Sequence, residues 1–428
     1  MRIFRKIQIL TILLALNVHS IFAQNQLVIE GEIKDALTKN SLPYGSIAVV
    51  NQYTGTVSNS EGFFRLYLPD SLLRDSIQIN YLGYHSYKAS VAELQGKKTT
   101  FSLKPALTPI EAVTIKPYSP EELIRLVMEN LEQNYSQEAF ITKGFYLQEL
   151  VENDQYIDFV EAFIDLYTPP FQDTSQCKAR LIQGRSRDDL GEIQFMKRFA
   201  EKKSNKEQKK ATRKGKDPDS VAVQAIQVNF SGPNSLTSID NIRQFQKYYQ
   251  QGYLKKFNLK FEKNTSIGGR ETYVVRCISK RPIDHVNADV RLYIDKASYA
   301  LVMYNSELVP EIPVILKPVF KLYRLSVEDL RVFEETEYRL VKNKWYPAKT
   351  IVQAEGEATK KYSGNYTEHS KGYVRKAFVV TDVETKDIKP FSKEECLTNE
   401  PFDKQLGEYN PEFWQNRNKI EYGSFEAN

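Results

Sequence analysis

The stretch that decides the fold is GEIKDALTKNSLPYGSIAVVNQYTGTVSNSEGFFRLYLP, residues 31–69, which closes with IQINYLGY at 77–84. Apolar residues alternate with polar ones in runs of five to seven, and Gly, Asn, Pro and Ser punctuate the runs. That is the pattern of short, half-buried antiparallel strands joined by turns, and it predicts a small β-sandwich. In Ser60-Glu61-Gly62-Phe63-Phe64-Arg65-Leu66, Phe64 and Leu66 share one pleat face while Phe63 and Arg65 share the other. A large ring must therefore find cover on each side. Gly55 and Gly62 fall where the chain reverses, and glycine enters positive-φ turns without steric cost.

These residues resemble, in order, the carboxypeptidase regulatory-like domain, a transthyretin-like sandwich. The features that carry the resemblance are Gly31 and Asp35, Leu42-Pro43, Gly55-Thr56, Glu61-Gly62-Phe63-Phe64, Pro69 and Gly83-Tyr84. The resemblance implies a fold over 26–104 and no reaction, because function belongs to a site and not to a scaffold. Core and turn roles are expected for these residues; the alternative is a ligand site on Tyr81, Tyr84 or His85.

Working outward, the amino terminus reads as a secretory signal peptide over 1–23. Arg2, Arg5 and Lys6 precede an apolar run from Ile7 to Ile21, and Ala23 supplies a small residue for cleavage. The run is shorter than a bilayer-spanning helix requires. Export to the periplasm or the periphery of the outer membrane is the expectation. No cysteine follows the cleavage region, so a bacterial lipoprotein anchor is not expected. Cys177, Cys277 and Cys396 are the only cysteines. Their odd count and wide spacing fit no zinc pattern, and whether any two pair is left open.

With 428 residues, 41% hydrophobic and 26% charged, the chain is long enough for two or three ordinary globular domains. Its net charge of +5 is concentrated: residues 197–216 alone carry ten Lys or Arg against two Glu, and the leader adds three cations. Subtracting that +8 and that +3 from +5 leaves −6 for everything else. The basic loop over 197–220 reads as a solvated segment. Its functional alternative is peripheral contact with lipid head groups through Lys202, Lys203, Lys206, Lys209, Lys210, Arg213 and Lys214. Nucleic acid is not an expected partner, since no aromatic residues are interleaved for base stacking.

Past the sandwich, 105–118 reads as an extended linker between prolines. It resembles the piece that follows this sandwich in outer-membrane receptors, but the chain is too short for their barrel. Ser119-Pro120-Glu121-Glu122 is a helix start: Ser119 can cap, Pro120 fits the first helical position, and Glu122 completes a capping box. Leu123, Ile124, Val127 and Leu131 then follow at helical spacing, predicting one connecting helix over 119–135. From 140 to 385 the pattern is that of an antiparallel β domain. Hairpins are expected around Asn153-Asp154, Gly268-Gly269 and Asp295-Lys296-Ala297-Ser298. The charged stretch from Arg180 to Met196 reads as a loop, and 386–428 as a C-terminal tail. The hairpin around Val290–Val302 resembles that of periplasmic lipoprotein-carrier folds. The whole is similar to Gram-negative envelope proteins that place the regulatory-like sandwich before an antiparallel β domain. The fold class is thus mainly β (α+β): a seven-stranded sandwich, one connecting helix and a larger antiparallel sheet.

No catalytic, cofactor-binding or metal-binding residue emerges. His85, His285 and His369 lack zinc-peptidase spacing, and phosphate loops and nucleophile elbows are missing. Asp284-His285 reads as a solvated loop. Asp158, Glu161 and Asp165 invite an acid–base reading, but Asp158 lies on the opposite pleat face and the other two are roughly 13 Å apart along the strand. The expectation is a non-enzymatic envelope protein acting as a binding or scaffold module for an envelope protein or an apolar ligand. Its alternatives are a periplasmic carrier of a lipid or other apolar ligand in the C-terminal β domain and, further off, a hydrolase.

Overall fold

The computed structural model describes residues 26–106, 118–173, 175–192, 194–195, 241–312, 317–362, 366–398, 400 and 402–421. The expected signal peptide, most of the linker and all of the basic loop, with every lysine and arginine named for lipid contact, lie outside the described residues.

Seven strands build the first body: β1 (Gln26–Asp35), β2 (Ser46–Val49), β3 (Gly55–Val57), β4 (Phe63–Pro69), β5 (Ser76–Asn80), β6 (Tyr87–Ser90) and β7 (Lys98–Leu103). They form one sheet in the order β4-β1-β7 and another in the order β3-β2-β5-β6. The alternation in β1 is what packs it: Leu27, Ile29, Ile33 and Asp35 turn inward with Gly31, while the residues between them stay half-exposed. Ile29, Ile33, Phe64, Leu66, Ile47 and Ile77 meet in the core. Phe63, on the outer face, lies under the Lys98 ammonium, 5.5 Å from the ring centre.

Gly31 has no room for a side chain. A Cβ there would sit 2.5 Å from Phe101 Cε2 and 2.7 Å from the Thr99 carbonyl. Gly31→Ala is expected to destabilise the sandwich by about 1–3 kcal/mol through overpacking, read as a lower urea midpoint. An unchanged midpoint would contradict this packing. Gly62 (φ +80°) and Gly83 (φ +83°) occupy left-handed turns. Gly55 does not, contrary to the sequence reading. It is glycine because a Cβ would stand 2.7 Å from the Ile47 carbonyl and 2.8 Å from Arg339 Nη2, so the constraint is close approach and not backbone angle.

Eleven strands of the described residues form the second sheet: β8 (Phe140–Glu152), β9 (Gln155–Thr168), β10 (Lys178–Ser186), β11 (Phe257–Phe261), β12 (Thr265–Ile267), β13 (Arg270–Ser279), β14 (Val286–Asp295), β15 (Leu301–Pro310), β16 (Leu325–Val341), β17 (Lys344–Lys361) and β18 (Thr367–Glu384). Their order is β10-β9-β8-β18-β17-β16-β15-β14-β13-β11, with β12 paired to β13. Asn153-Asp154 and Gly268-Gly269 hold positive φ at both central turn positions, as tight hairpins require. Asp295 closes its connector by accepting from the Ser298 amide and hydroxyl.

Helix α1 (Pro120–Glu129) starts on the expected capping box: the Glu122 amide donates to Ser119 Oγ at 3.1 Å and the Ser119 amide to Glu122 Oε2 at 2.7 Å. It ends at Asn130, and a separate four-residue helix covers Leu131–Asn134, so the expected single helix is broken. Leu123, Ile124 and Val127 pack into one cluster with Leu292, Ile294, Leu301 and Met303.

Several sequence expectations need correction. The charged stretch from Arg180 is not a loop at its start, because residues 178–186 form the edge strand β10, with Arg180 and Arg185 paired to Asp165 and Glu161 of β9. Charges hid its alternation. Among the described residues two further helices longer than a single turn are present, α2 (Asn241–Gln250) and α3 (Lys317–Leu322). The tail is packed against both bodies: Phe391, Phe402, Trp414 and Ile420 are all buried. Cys177 and Cys277 are buried, Cys396 is partly exposed, and none of the three forms a disulfide. Burial pushes the Cys277 thiol up to about 12.

Candidate ligand cleft between the sandwich and the sheet

Strand register brings together residues far apart in sequence. Glu337 stands opposite Lys349 and Glu335 opposite Ile351, while Met303 and Asn305 of β15 stand opposite Glu337 and Glu335. Gln353 stands opposite Arg375 of β18, and Arg375 opposite Glu149 of β8. Because side chains repeat every second residue, Glu335, Glu337, Lys349, Ile351, Gln353 and Arg375 share one face of the sheet. The sandwich covers that face.

Lys349 is the hub. Its Nζ lies 2.7 Å from Glu335 Oε1 and 3.6 Å from Glu337 Oε2, and it donates to the Tyr44 carbonyl at 3.0 Å. Ser46 of the sandwich donates its hydroxyl to Glu337 Oε2. Burial alone would lower the lysine pKa, but the two carboxylates outweigh it and hold the ammonium above its ordinary value. A cation fixed in its protonated form is a poor base and a poor nucleophile. Beside it, the Arg375 guanidinium donates to Glu149 Oε2 at 2.9 Å and to Gln353 Oε1 at 3.1 Å, and lies 5.1 Å from the Tyr44 ring centre. Tyr44 is held at φ +57°, and burial pushes its phenol up to about 12. Burial likewise raises the Glu149 carboxyl, although Arg375 opposes the shift.

Between these groups and the sandwich lies a cleft of about 490 Å³. Pro43, Tyr44, Asn80, Tyr81 and Leu82 form its sandwich wall and residues 266–268 its rim, with Met303, Asn305, Phe333, Glu335, Lys349, Ile351 and Gln353 on the sheet side. A second space of about 270 Å³ shares Asn80, Ile267, Gly268 and Glu337 with the first and reaches Arg270 and Trp345.

Both walls are fixed in place. Arg339 donates to the Tyr53 carbonyl at 2.6 Å. The tail ties the sandwich down, with the Tyr67 amide donating to Asn418 Oδ1 (2.7 Å), Asn59 Nδ2 to the Glu421 carbonyl (2.7 Å) and Thr56 Oγ1 to the Lys419 carbonyl (3.2 Å). The sandwich motif residues thus divide by role. Gly31, Phe64 and Pro69 serve the sandwich's own strands. Asp35 accepts from Tyr84 Oη at 2.6 Å and from the Leu37 and Thr38 amides, bonds that hold its carboxyl below the usual range. Pro43, Gly55 and Thr56 face the sheet or the tail.

The acid–base candidates do not converge. Glu161 pairs with Arg185 (2.6 Å), Asp165 with Arg180 (2.8 Å), and Asp158 accepts from Gln148 Nε2 (2.6 Å). Asp284 and His285, both at positive φ, form a hairpin turn. Among the described residues no three His, Cys, Asp or Glu side chains are grouped to hold a metal, and no helix is long and apolar enough to cross a membrane. Sequence reading missed Lys349, Glu335, Glu337 and Arg375. Their one signal was a lysine on the parity that Ile351 shares within β17, with acidic residues at spacing two in β16.

Residues 29–115 match the family model described as the CarboxypepD_reg-like domain. No curated protein matches the chain. Among solved structures, similarity is found to a domain named for outer membrane lipoprotein sorting from Vibrio parahaemolyticus (8% identity, 63% of this chain and 95% of that chain, TM-score 0.26). A DUF1329 family protein from Desulfovibrio piger is matched at 8% identity over 63% of this chain and 95% of that one, TM-score 0.24. A membrane-associated protein from Bacteroides fragilis is matched at 11% identity over 84% of this chain and 99% of that one, TM-score 0.15.

Proposed function

We propose that this chain, whose amino-terminal body is a CarboxypepD_reg-like domain, is a non-enzymatic, exported binding protein of the cell envelope. Its ligand site is the cleft where that domain meets the large sheet. The carrying observation is the cleft itself: an open concavity of about 490 Å³ between two bodies locked by buried polar contacts. Ligand sites favour such junctions. The basic, apolar and small-residue order of the leader supports export.

The lining sets the ligand's character. Tyr81 supplies a flat apolar surface, Asn80 and Asn305 supply amides, and the Glu335–Lys349 pair supplies a polar floor whose charges are already matched. A small polar ligand with one flat face suits this better than an acyl chain. The apolar-carrier alternative needs space beneath α1, where Leu123, Ile124 and Val127 instead belong to one buried cluster with residues of β14 and β15. A hydrolase would need a group poised to accept or donate a proton, whereas Lys349 is held charged and Glu161 and Asp165 are engaged by arginines.

Native mass spectrometry of the mature protein purified from its own envelope tests this reading. A small molecule should be retained by the wild type and be at least about tenfold depleted in Asn305→Trp, which fills the cleft. Equal retention by both proteins, or turnover of the released compound by the wild type, would overturn it.

A further inference from the structure

Strands β16, β17 and β18 outrun their neighbours. β15 pairs with β16 only as far as Leu308–Val332, and β8 with β18 only as far as Glu152–Gly372. Beyond those points residues 325–331, 355–361 and 367–371 continue as a three-stranded extension, about 20 Å long at the rise of a strand. Its free end carries an unusual surface. Leu322 is 76% exposed, the most of any large hydrophobic residue described, and Tyr323 (40%) and Tyr366 (42%) are exposed beside it.

The backbone fixes this end in shape. The Lys361 amide donates to the Arg324 carbonyl at 3.0 Å and the Tyr362 amide to the Tyr366 carbonyl at 2.8 Å. Lys360 donates its ammonium to the Tyr323 carbonyl and lies 5.7 and 5.2 Å from the ring centres of Tyr323 and Tyr362. The Tyr362 ring is tilted against that of Tyr366, ring centres 5.6 Å apart, and its hydroxyl donates to Glu368 Oε2.

Charge is segregated here. The described residues 317–324 and 360–368 contain Lys317, Lys321, Arg324, Lys360 and Lys361 against the single carboxylate of Glu368. Outside the leader and the 197–216 run the chain as a whole is net −6. A basic end on an otherwise acidic body fits an anionic surface. An exposed leucine flanked by tyrosines and long cationic side chains matches the layered chemistry of a lipid headgroup region, where amphipathic rings and snorkelling lysines sit between water and hydrocarbon.

We propose that this end of the β16–β18 extension docks on an anionic lipid surface. Leu322, Tyr323 and Tyr366 enter the headgroup layer, and Lys317, Lys321, Arg324 and Lys361 pair with lipid phosphates. This surface shares no residue with the ligand cleft or with the 197–220 stretch, and it does not depend on the reading of either.

Flotation of the full mature chain with vesicles tests it. Binding is expected to phosphatidylcholine vesicles containing phosphatidylglycerol, to weaken as salt is raised, and to be absent with phosphatidylcholine alone. Lys317→Glu with Lys321→Glu, and separately Leu322→Ser with Tyr366→Ser, should each weaken it by at least about tenfold. All four positions are exposed, so circular dichroism should match the wild type. Glutamine replacement of Lys202, Lys203, Lys206, Lys209 and Lys210 should leave affinity within about threefold. Loss of binding in that loop variant with retention in both tip variants would overturn the assignment. So would failure of the wild type to bind either vesicle, which would leave a protein partner as the occupant of this surface.

Discussion

Replacing Lys349 with methionine is expected to cost about 3 kcal/mol of stability, the lower end of what breaking a buried ion pair costs. The lower end applies because Glu335 keeps 27% of its side chain exposed, although Glu337 and Lys349 keep only 11% and 6%. Met keeps an unbranched apolar chain of similar length, so the loss comes from two carboxylates stripped of their shared cation. Adding Glu335→Gln and Glu337→Gln should therefore recover most of it, and urea unfolding of the single and triple variants checks both. If the triple variant is as unstable as the single one, packing and not charge is what Lys349 contributes. The pH dependence has a definite sign. The folded-state pKa of Lys349 lies above the unfolded value of about 10.4, so its contribution is fully present below that value and is lost as pH rises through the folded one. Wild type should lose stability on that alkaline limb more steeply than Lys349→Met.

The second large effect is expected from Trp414→Ala, at about 3–5 kcal/mol. The indole is buried, with the Arg185 guanidinium 4.2 Å from its ring centre and Phe163 at 5.2 Å. Arg185 in turn neutralises Glu161, whose side chain is 1% exposed. Removing the indole opens a cavity and wets that pair. It also loosens the segment that carries Asn418 and Lys419 to the sandwich. Hydrogen exchange at the Tyr67 amide, which donates to Asn418, should accelerate well beyond exchange at core amides of β8. Unchanged exchange at Tyr67 would mean that the tail does not couple the two bodies.

Elements with local causes were legible in the sequence. Strand alternation in β1 and β4, the capping box at Ser119 and the paired positive-φ turns at Asn153-Asp154 and Gly268-Gly269 depend on neighbours within a few residues. β10 was not legible, because an edge strand whose outward residues are charged and whose ion-paired partners lie on another strand shows no apolar alternation. The tail was missed for a related reason: Trp414 and Ile420 are single anchors in a polar stretch, and their burial depends on surfaces built by other strands.

By itself the sequence determined the two β bodies, the order of the sandwich turns and the helix start, since hydrophobic periodicity, glycine geometry and capping are short-range properties. Only the tertiary structure decided that Lys349 sits between Glu335 and Glu337, that Arg375 joins Glu149 across β18 and β8, that Gly55 makes room for Arg339, and that the tail fastens sandwich to sheet. Those placements depend on strand register and on one body docking against another. Register links residues hundreds of positions apart through backbone hydrogen bonds that carry no mark in the local sequence.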